Sequence, residues 1–269
     1  MKKLFIVLLS LGALSACQNS PLSDSTAGDD DLSVRYSESS SGEGGNKASE
    51  INTQLGAGYI GNGNYERALI KLNKALEFDA NNAQAHNYLG VLYGRLERPD
   101  KAESSFNKAL RIAPNNSSIL NNYAIFLCEQ KNYEKARVMF KRVLNNPLYT
   151  NLDQAYQSAG FCALSNNNWD LAEKLYRKSL DLTANSALAL LGLAKVNYKK
   201  QNFQYAWSYF ERYYKVSVLD SDALWLGINI LEEVSKPDKN LLSSFKLQLK
   251  SKYPDSDETK WFYEGKQEY

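Results

Sequence analysis

One histidine, His86, and three cysteines, Cys17, Cys128 and Cys162, carry most of the latent reactivity of this 269-residue chain. A single histidine cannot build a multi-histidine metal site, and no Cys/His spacing here matches a metal-binding pattern. The acidic side chains are scattered, with no notable carboxylate pair and no glycine-rich phosphate loop. These features argue against an enzyme, and no cofactor is expected. His86 falls among regularly spaced large residues and reads as a packed helix-interface residue. The chemistry that remains belongs to the cysteines and to the surfaces that position them.

Cys17 closes a leader. Met1-Lys2-Lys3 is basic, Leu4 to Ala13 is apolar, and Leu14-Ser15-Ala16-Cys17 follows. The apolar run is too short to span a bilayer comfortably and has the layout of a secretory signal over residues 1–16. The tetrad resembles the lipobox of bacterial lipoproteins. That resemblance implies cleavage after Ala16 and acylation of Cys17; the plain alternative is an ordinary signal that ends near a cysteine. One acyl chain anchors marginally and several anchor stably. Gln18, where an aspartate would signal inner-membrane retention, favours the periplasmic side of the outer membrane. Losing Lys2 and Lys3 with the leader leaves 30 basic and 30 acidic residues, so no bulk attraction for nucleic acid is expected. Residues 17–48 are expected to form a tether. From residue 18 they hold eight Ser, four Gly and six acidic residues, with too little apolar surface to offset chain entropy. As a flexible coil this stretch would span roughly 30 Å.

From residue 49 the chain repeats. Leu55-Gly56, Tyr59, Ala68, Leu72 and Ala75 make one copy. Leu89-Gly90, Tyr93, Ala102, Phe106, Ala109 and Pro114 make the next. Tyr123-Ala124, Leu127, Ala136 and Phe140 follow, then Ala159-Gly160, Ala163, Ala172 and Tyr176, then Leu193-Ala194, Tyr198, Ala206 and Phe210. Successive key alanines, from Ala68 to Ala206, are separated by 34, 34, 36 and 34 residues. The two extra residues fall near Asn151-Leu152. This is the tetratricopeptide repeat (TPR) pattern, in which small residues let two helices cross closely and large ones fill the gaps. Turns are marked by Gly61-Asn62-Gly63-Asn64, Arg98-Pro99-Asp100, Lys131-Asn132, Asn166-Asn167-Asn168 and Gln201-Asn202. A degenerate sixth unit has helices over 222–234 and 238–252. The expectation is an all-α, right-handed superhelix of about six helix-turn-helix repeats: 49–82, 83–116, 117–150, 153–186, 187–220 and 221–254. A tail over 255–269, containing Trp261-Phe262-Tyr263, docks on the end or frays.

Within that frame Cys128 and Cys162 fall late in the first helices of repeats three and four, which pack side by side. An exported compartment is oxidising, and two cysteines remain once Cys17 is acylated. A bridge would close a loop of about 35 residues and stabilise by roughly 3–4 kcal/mol. Two separately buried thiols are the other reading, because the cysteines are offset by two positions within their repeats. The first helices line the concave face of such stacks through their fifth and ninth positions. The fifth are Thr53, Asn87, Asn121, Gln157 and Leu191; the ninth are Ala57, Val91, Ile125, Phe161 and Lys195. This set lacks the cationic clamp that holds chaperone C-termini. Asn87, Val91, Asn121, Ile125, Gln157 and Phe161 are expected to form an amide-edged apolar groove for a peptide or partner helix. Alternatively, they pack against one another in a tight superhelix.

Leader, tether, repeat number and the ending Leu247-Gln248-Leu249-Lys250 … Tyr253-Pro254-Asp255-Ser256 together resemble the PilF/PilW family of type IV pilus biogenesis lipoproteins. The resemblance covers nearly the whole chain. It implies a pilotin, a monomer that binds the secretin subunit and promotes its outer-membrane localisation and multimerisation. It also implies membrane attachment through the lipid and other pilus-assembly proteins as partners. The Cys128/Cys162 pair fits members of that family with a disulfide between neighbouring repeats. The competing function is a generic TPR scaffold for outer-membrane protein assembly or for peptidoglycan enzymes.

Overall fold

Apolar side chains at helical spacing, interrupted by Asn-rich turns, fold as paired antiparallel helices. A computed structural model describes residues 43–266 of the chain. The pairs are α1 (Glu43–Gly61) with α2 (Tyr65–Phe78), α3 (Ala83–Arg95) with α4 (Pro99–Ile112), and α5 (Ser117–Glu129) with α6 (Tyr133–Leu144). They continue with α7 (Leu152–Ser165) and α8 (Trp169–Leu182), α9 (Ala187–Lys199) and α10 (Phe203–Tyr214), and α11 (Ser221–Glu233) and α12 (Lys239–Lys252). A last helix, α13 (Asp257–Glu264), follows. Each first helix packs on its own partner, on the preceding second helix and on the first helix of the next pair. Stacking is obligatory because no pair can bury its apolar face alone. The result is an all-α TPR superhelix.

The leader, Cys17, Gln18 and the tether as far as residue 42 lie outside the described residues. Residues 43–48, expected to belong to the tether, are helical instead. α1 starts at Glu43, and its first turns are packed: Gly45 and Ser49 are buried. Ser49 Oγ donates to the Ala75 carbonyl at 2.8 Å, and Asn82 Nδ2 donates to Ser49 Oγ at 2.8 Å. Tertiary packing against α2 therefore outweighs the poor intrinsic helix propensity of Gly and Ser.

The turns inside each pair repeat as faithfully as the helices. Positive φ recurs at Gly63, Glu97, Lys131, Asn167 and Gln201, with the spacing of the key alanines. Each is the left-handed residue that ends a first helix. The next amide reaches back to close the turn: Asn64 to Tyr59 O (2.9 Å), Arg98 to Tyr93 O (2.9 Å), Asn132 to Leu127 O (2.8 Å), Asn168 to Ala163 O (2.9 Å) and Asn202 to Asn197 O (2.8 Å). This is the Schellman arrangement, which satisfies carbonyls that a helix end would otherwise leave open.

Between the helices the small-against-large rule is literal. Ala68, Ala102, Ala136, Ala172 and Ala206 are fully buried. A Cβ at Gly90 would sit 2.8 Å from the Phe106 ring, and one at Gly56 would sit 2.6 Å from Leu72. Only glycine permits these crossings. Phe106 packs on Tyr123 and Phe126 at centroid distances of 5.2 and 5.5 Å. The expected tail is docked at its helical part. Trp261 on α13 lies 6.5 Å from Trp225 on α11, and Thr259 Oγ1 donates to the Tyr253 carbonyl at 2.7 Å. Tyr253 Oη in turn donates to the Leu219 carbonyl at 2.9 Å.

Candidate functional site

The first helices present one continuous face. Its widest part is a groove of about 650 Å³ across α5, α7 and α9. Ile125, Phe161, Leu188 and Leu191 supply apolar floor, with Gln154, Gln157 and Glu129 among the polar residues that line it. Phe161 and Leu188 are 60% and 65% exposed, and because they line one groove with Ile125 and Leu191 they form a contiguous apolar patch. A narrower extension of about 120 Å³ continues between α3 and α5, where Val91 and Ile125 face Asn122 and Arg95. Ile125 and Glu129 are common to both.

The ninth-position residues Val91, Ile125 and Phe161 are thus brought onto one face. The fifth-position amides are not offered to solvent in the same way. Asn87 is 1% exposed; its Nδ2 donates to Gln84 Oε1 at 3.1 Å, and its Oδ1 accepts from Asn122 Nδ2 at 3.2 Å. Asn121 is also buried, and its Oδ1 has no hydrogen-bond partner among the described residues. Gln157 lines the groove but donates through Nε2 to Ser179 Oγ on α8 at 3.1 Å. Of the expected amide edge, Asn87 and Gln157 are thus engaged in hydrogen bonds within the stack and Asn121 is buried, and only Gln157 reaches the groove. The groove is more apolar than the sequence suggests. Leu188 and Leu191 complete its floor. Leu188 takes a position that is polar in the four preceding repeats, at Glu50, Gln84, Ser118 and Gln154, and that contrast was the legible signal.

Tyr176 forms the back of the groove. It is wedged between Gly160 on α7 and Gly192 on α9, leaving no room for a Cβ at either. Burial pushes its phenol pKa up, so it stays neutral and acts as packing. Tyr123, under the narrow extension, is raised to about 12 by burial and by the Glu103 carboxylate that its hydroxyl meets at 3.1 Å. Lys195 at the far edge donates to Asp222 Oδ2 at 2.8 Å and so bridges α9 to α11. His86 is half-buried, with Nε2 3.0 Å from the Ala80 carbonyl.

Cys128 and Cys162 join α5 to α7 in a disulfide whose Cα atoms are 5.7 Å apart, within the ordinary range for a bridge. The structure brings the two cysteines together despite their two-residue offset within the repeat. The bridge clamps two helices of the groove at its centre. What the surface offers is a row of apolar side chains on adjacent first helices, with Phe161 and Leu188 exposed.

Tetratricopeptide repeat profiles match residues 83–116, 105–138 and 163–222, and a TPR repeat profile matches residues 58–97. The type IV pilus assembly protein PilF of Pseudomonas aeruginosa is 32% identical over 220 residues, covering 82% of this chain and 86% of that protein. The solved structure of that PilF superposes with a TM-score of 0.74, covering 83% of this chain and all of the other. PilW, described as a widely conserved type IV pilus biogenesis factor, superposes with a TM-score of 0.74 at 30% identity, covering 81% and 99% of the two chains. Identity of this degree across nearly the whole repeat domain, on the same superhelix, makes the chain a member of the PilF/PilW family of type IV pilus biogenesis TPR proteins.

Proposed function

We propose that this protein is a pilotin: an outer-membrane lipoprotein, anchored through Cys17, that binds the secretin subunit and promotes its localisation and multimerisation. Family membership supports the pilus pathway, and the exposed apolar groove at Ile125, Phe161, Leu188 and Leu191 supports a protein ligand. A solvent-facing Phe and Leu on adjacent helices favour an extended or helical segment that buries apolar anchors between α5 and α9. The lipid delivers the complex and the groove holds the cargo. The test is complementation of a gene deletion, reading secretin multimers by immunoblot. Phe161→Asp with Leu188→Asp should abolish multimers while the melting temperature stays within a few degrees, since both side chains are exposed and surface changes typically cost about 0.5 kcal/mol or less. Wild-type multimer levels in the deletion strain would sink the pilotin reading. Full rescue by the double variant would instead move the binding site off the groove. Cys17→Ala should release the protein from the outer-membrane fraction.

A further inference from the structure

The disulfide is a partition between two clefts. Cys128 lines the concave groove, whereas Cys162 lines a separate opening of about 590 Å³ between the second helices α6 and α8. This second cleft sits at the one joint in the regular repeats that carries the two-residue insertion. Its apolar lining includes Phe140 and Leu144 from α6, Tyr156 from α7, and Leu171 and Leu175 from α8. Its rim is cationic. Arg137 is neutralised by Glu134 at 2.8 Å, but Lys141 and Lys174, one on each wall, are exposed and form no ion pair among the described residues.

We propose that this convex-side cleft is a second docking site, which takes a protein segment presenting a Phe or Leu anchor flanked by Asp or Glu. The apolar lining rewards burial of the anchor, while the two open ammonium groups select acidic flanks and reject basic ones. A bilayer surface fits less well. Membranes engage protruding apolar side chains, and here the apolar groups are recessed between α6 and α8. The site does not depend on the pilotin reading, because its lining shares no residue with the concave groove. It would let the protein hold a second pilus-envelope partner while the groove is occupied.

The probe is a fluorescent synthetic peptide with Phe and Leu anchors flanked by Asp and Glu, titrated by anisotropy into the chain from residue 17 onward carrying Cys17→Ser. Saturable binding is expected. It should weaken about tenfold in Lys141→Glu/Lys174→Glu, weaken as salt rises, and be unchanged in Phe161→Asp. The same anchors flanked by Lys, or acidic flanks with Ser in place of the anchors, should bind at least about tenfold more weakly. Circular dichroism of the lysine variant, altered only at exposed positions, checks that it folds. The proposal is overturned if the acidic peptide does not saturate, if the lysine double variant binds it equally, or if Phe161→Asp removes the binding. It is also overturned, in favour of a membrane surface, if phosphatidylglycerol vesicles rather than the peptide lose affinity in the double variant.

Discussion

Tyr176 sets the spacing of three helices with one side chain. Its ring lies against the bare Cα of Gly160 and of Gly192, so α7, α8 and α9 meet at the thickness of an aromatic ring. A methyl at position 192 has nowhere to go, because the ring it meets is held from the other side. Gly192→Ala should therefore cost about 1–3 kcal/mol through overpacking, lowering the thermal midpoint by several degrees. Gly58→Ala, where an added Cβ meets nothing, should hold or raise the midpoint. Equal melting curves for the two variants would contradict the wedge. Gly160 was legible in the repeat pattern. Gly192 was not, because it serves the preceding repeat's tyrosine and lies two residues before Ala194, the small position that the period marks.

Helix ends and their linkage decide the next level. Five turns adopt the left-handed conformation, yet only Gly63 among them is a glycine. Side chains at Glu97, Lys131 and Gln201 hold that backbone against a strain of roughly 1–2 kcal/mol. Part of that is regained on substitution, offset by the greater freedom of glycine in the unfolded chain. Glu97→Gly and Lys131→Gly should each stabilise by about 0.5–1 kcal/mol, read by urea melts; a loss at both sites would show that the side chains contribute more than their strain costs. The α5–α7 bridge acts over a longer range. Cys128→Ser/Cys162→Ser, or reductant in the melting buffer, should lower stability by roughly 3–4 kcal/mol on the chain-entropy account. If reduction leaves the melt unchanged, the clamp is irrelevant to stability.

At the scale of the molecule the solenoid must stop. α11 is buried along almost its full length, from Ala223 to Leu231, because α12 covers one side and α13 brings Trp261 onto Trp225. Truncation after Pro254 should uncover that tryptophan and cost about 2–3 kcal/mol of burial. Hydrogen exchange would report it as faster opening of α11 than of α5, and equal protection in the truncated and full chains would refute the capping role. The same end shows why a terminal repeat departs from its pattern: its small position, Gly227, must admit both Phe210 and Phe245.

Repeat number, helix order and the positions of the turns were determined by the sequence alone, because a period of 34 residues with small and large residues in phase admits only side-by-side stacking. The floor residues Val91, Ile125 and Phe161 followed from that register. The tertiary structure decided what spacing cannot express. It drew the Asn87 amide into internal hydrogen bonds, since a buried donor without a partner is costly, and tied the half-buried Gln157 to Ser179. It extended α1 back to Glu43 through packing against α2. It joined Cys128 to Cys162 despite their offset, because helix placement rather than repeat register fixes the distance between two Cα atoms. It also opened a cleft between α6 and α8, on the face where the notation of fifth and ninth positions has nothing to say.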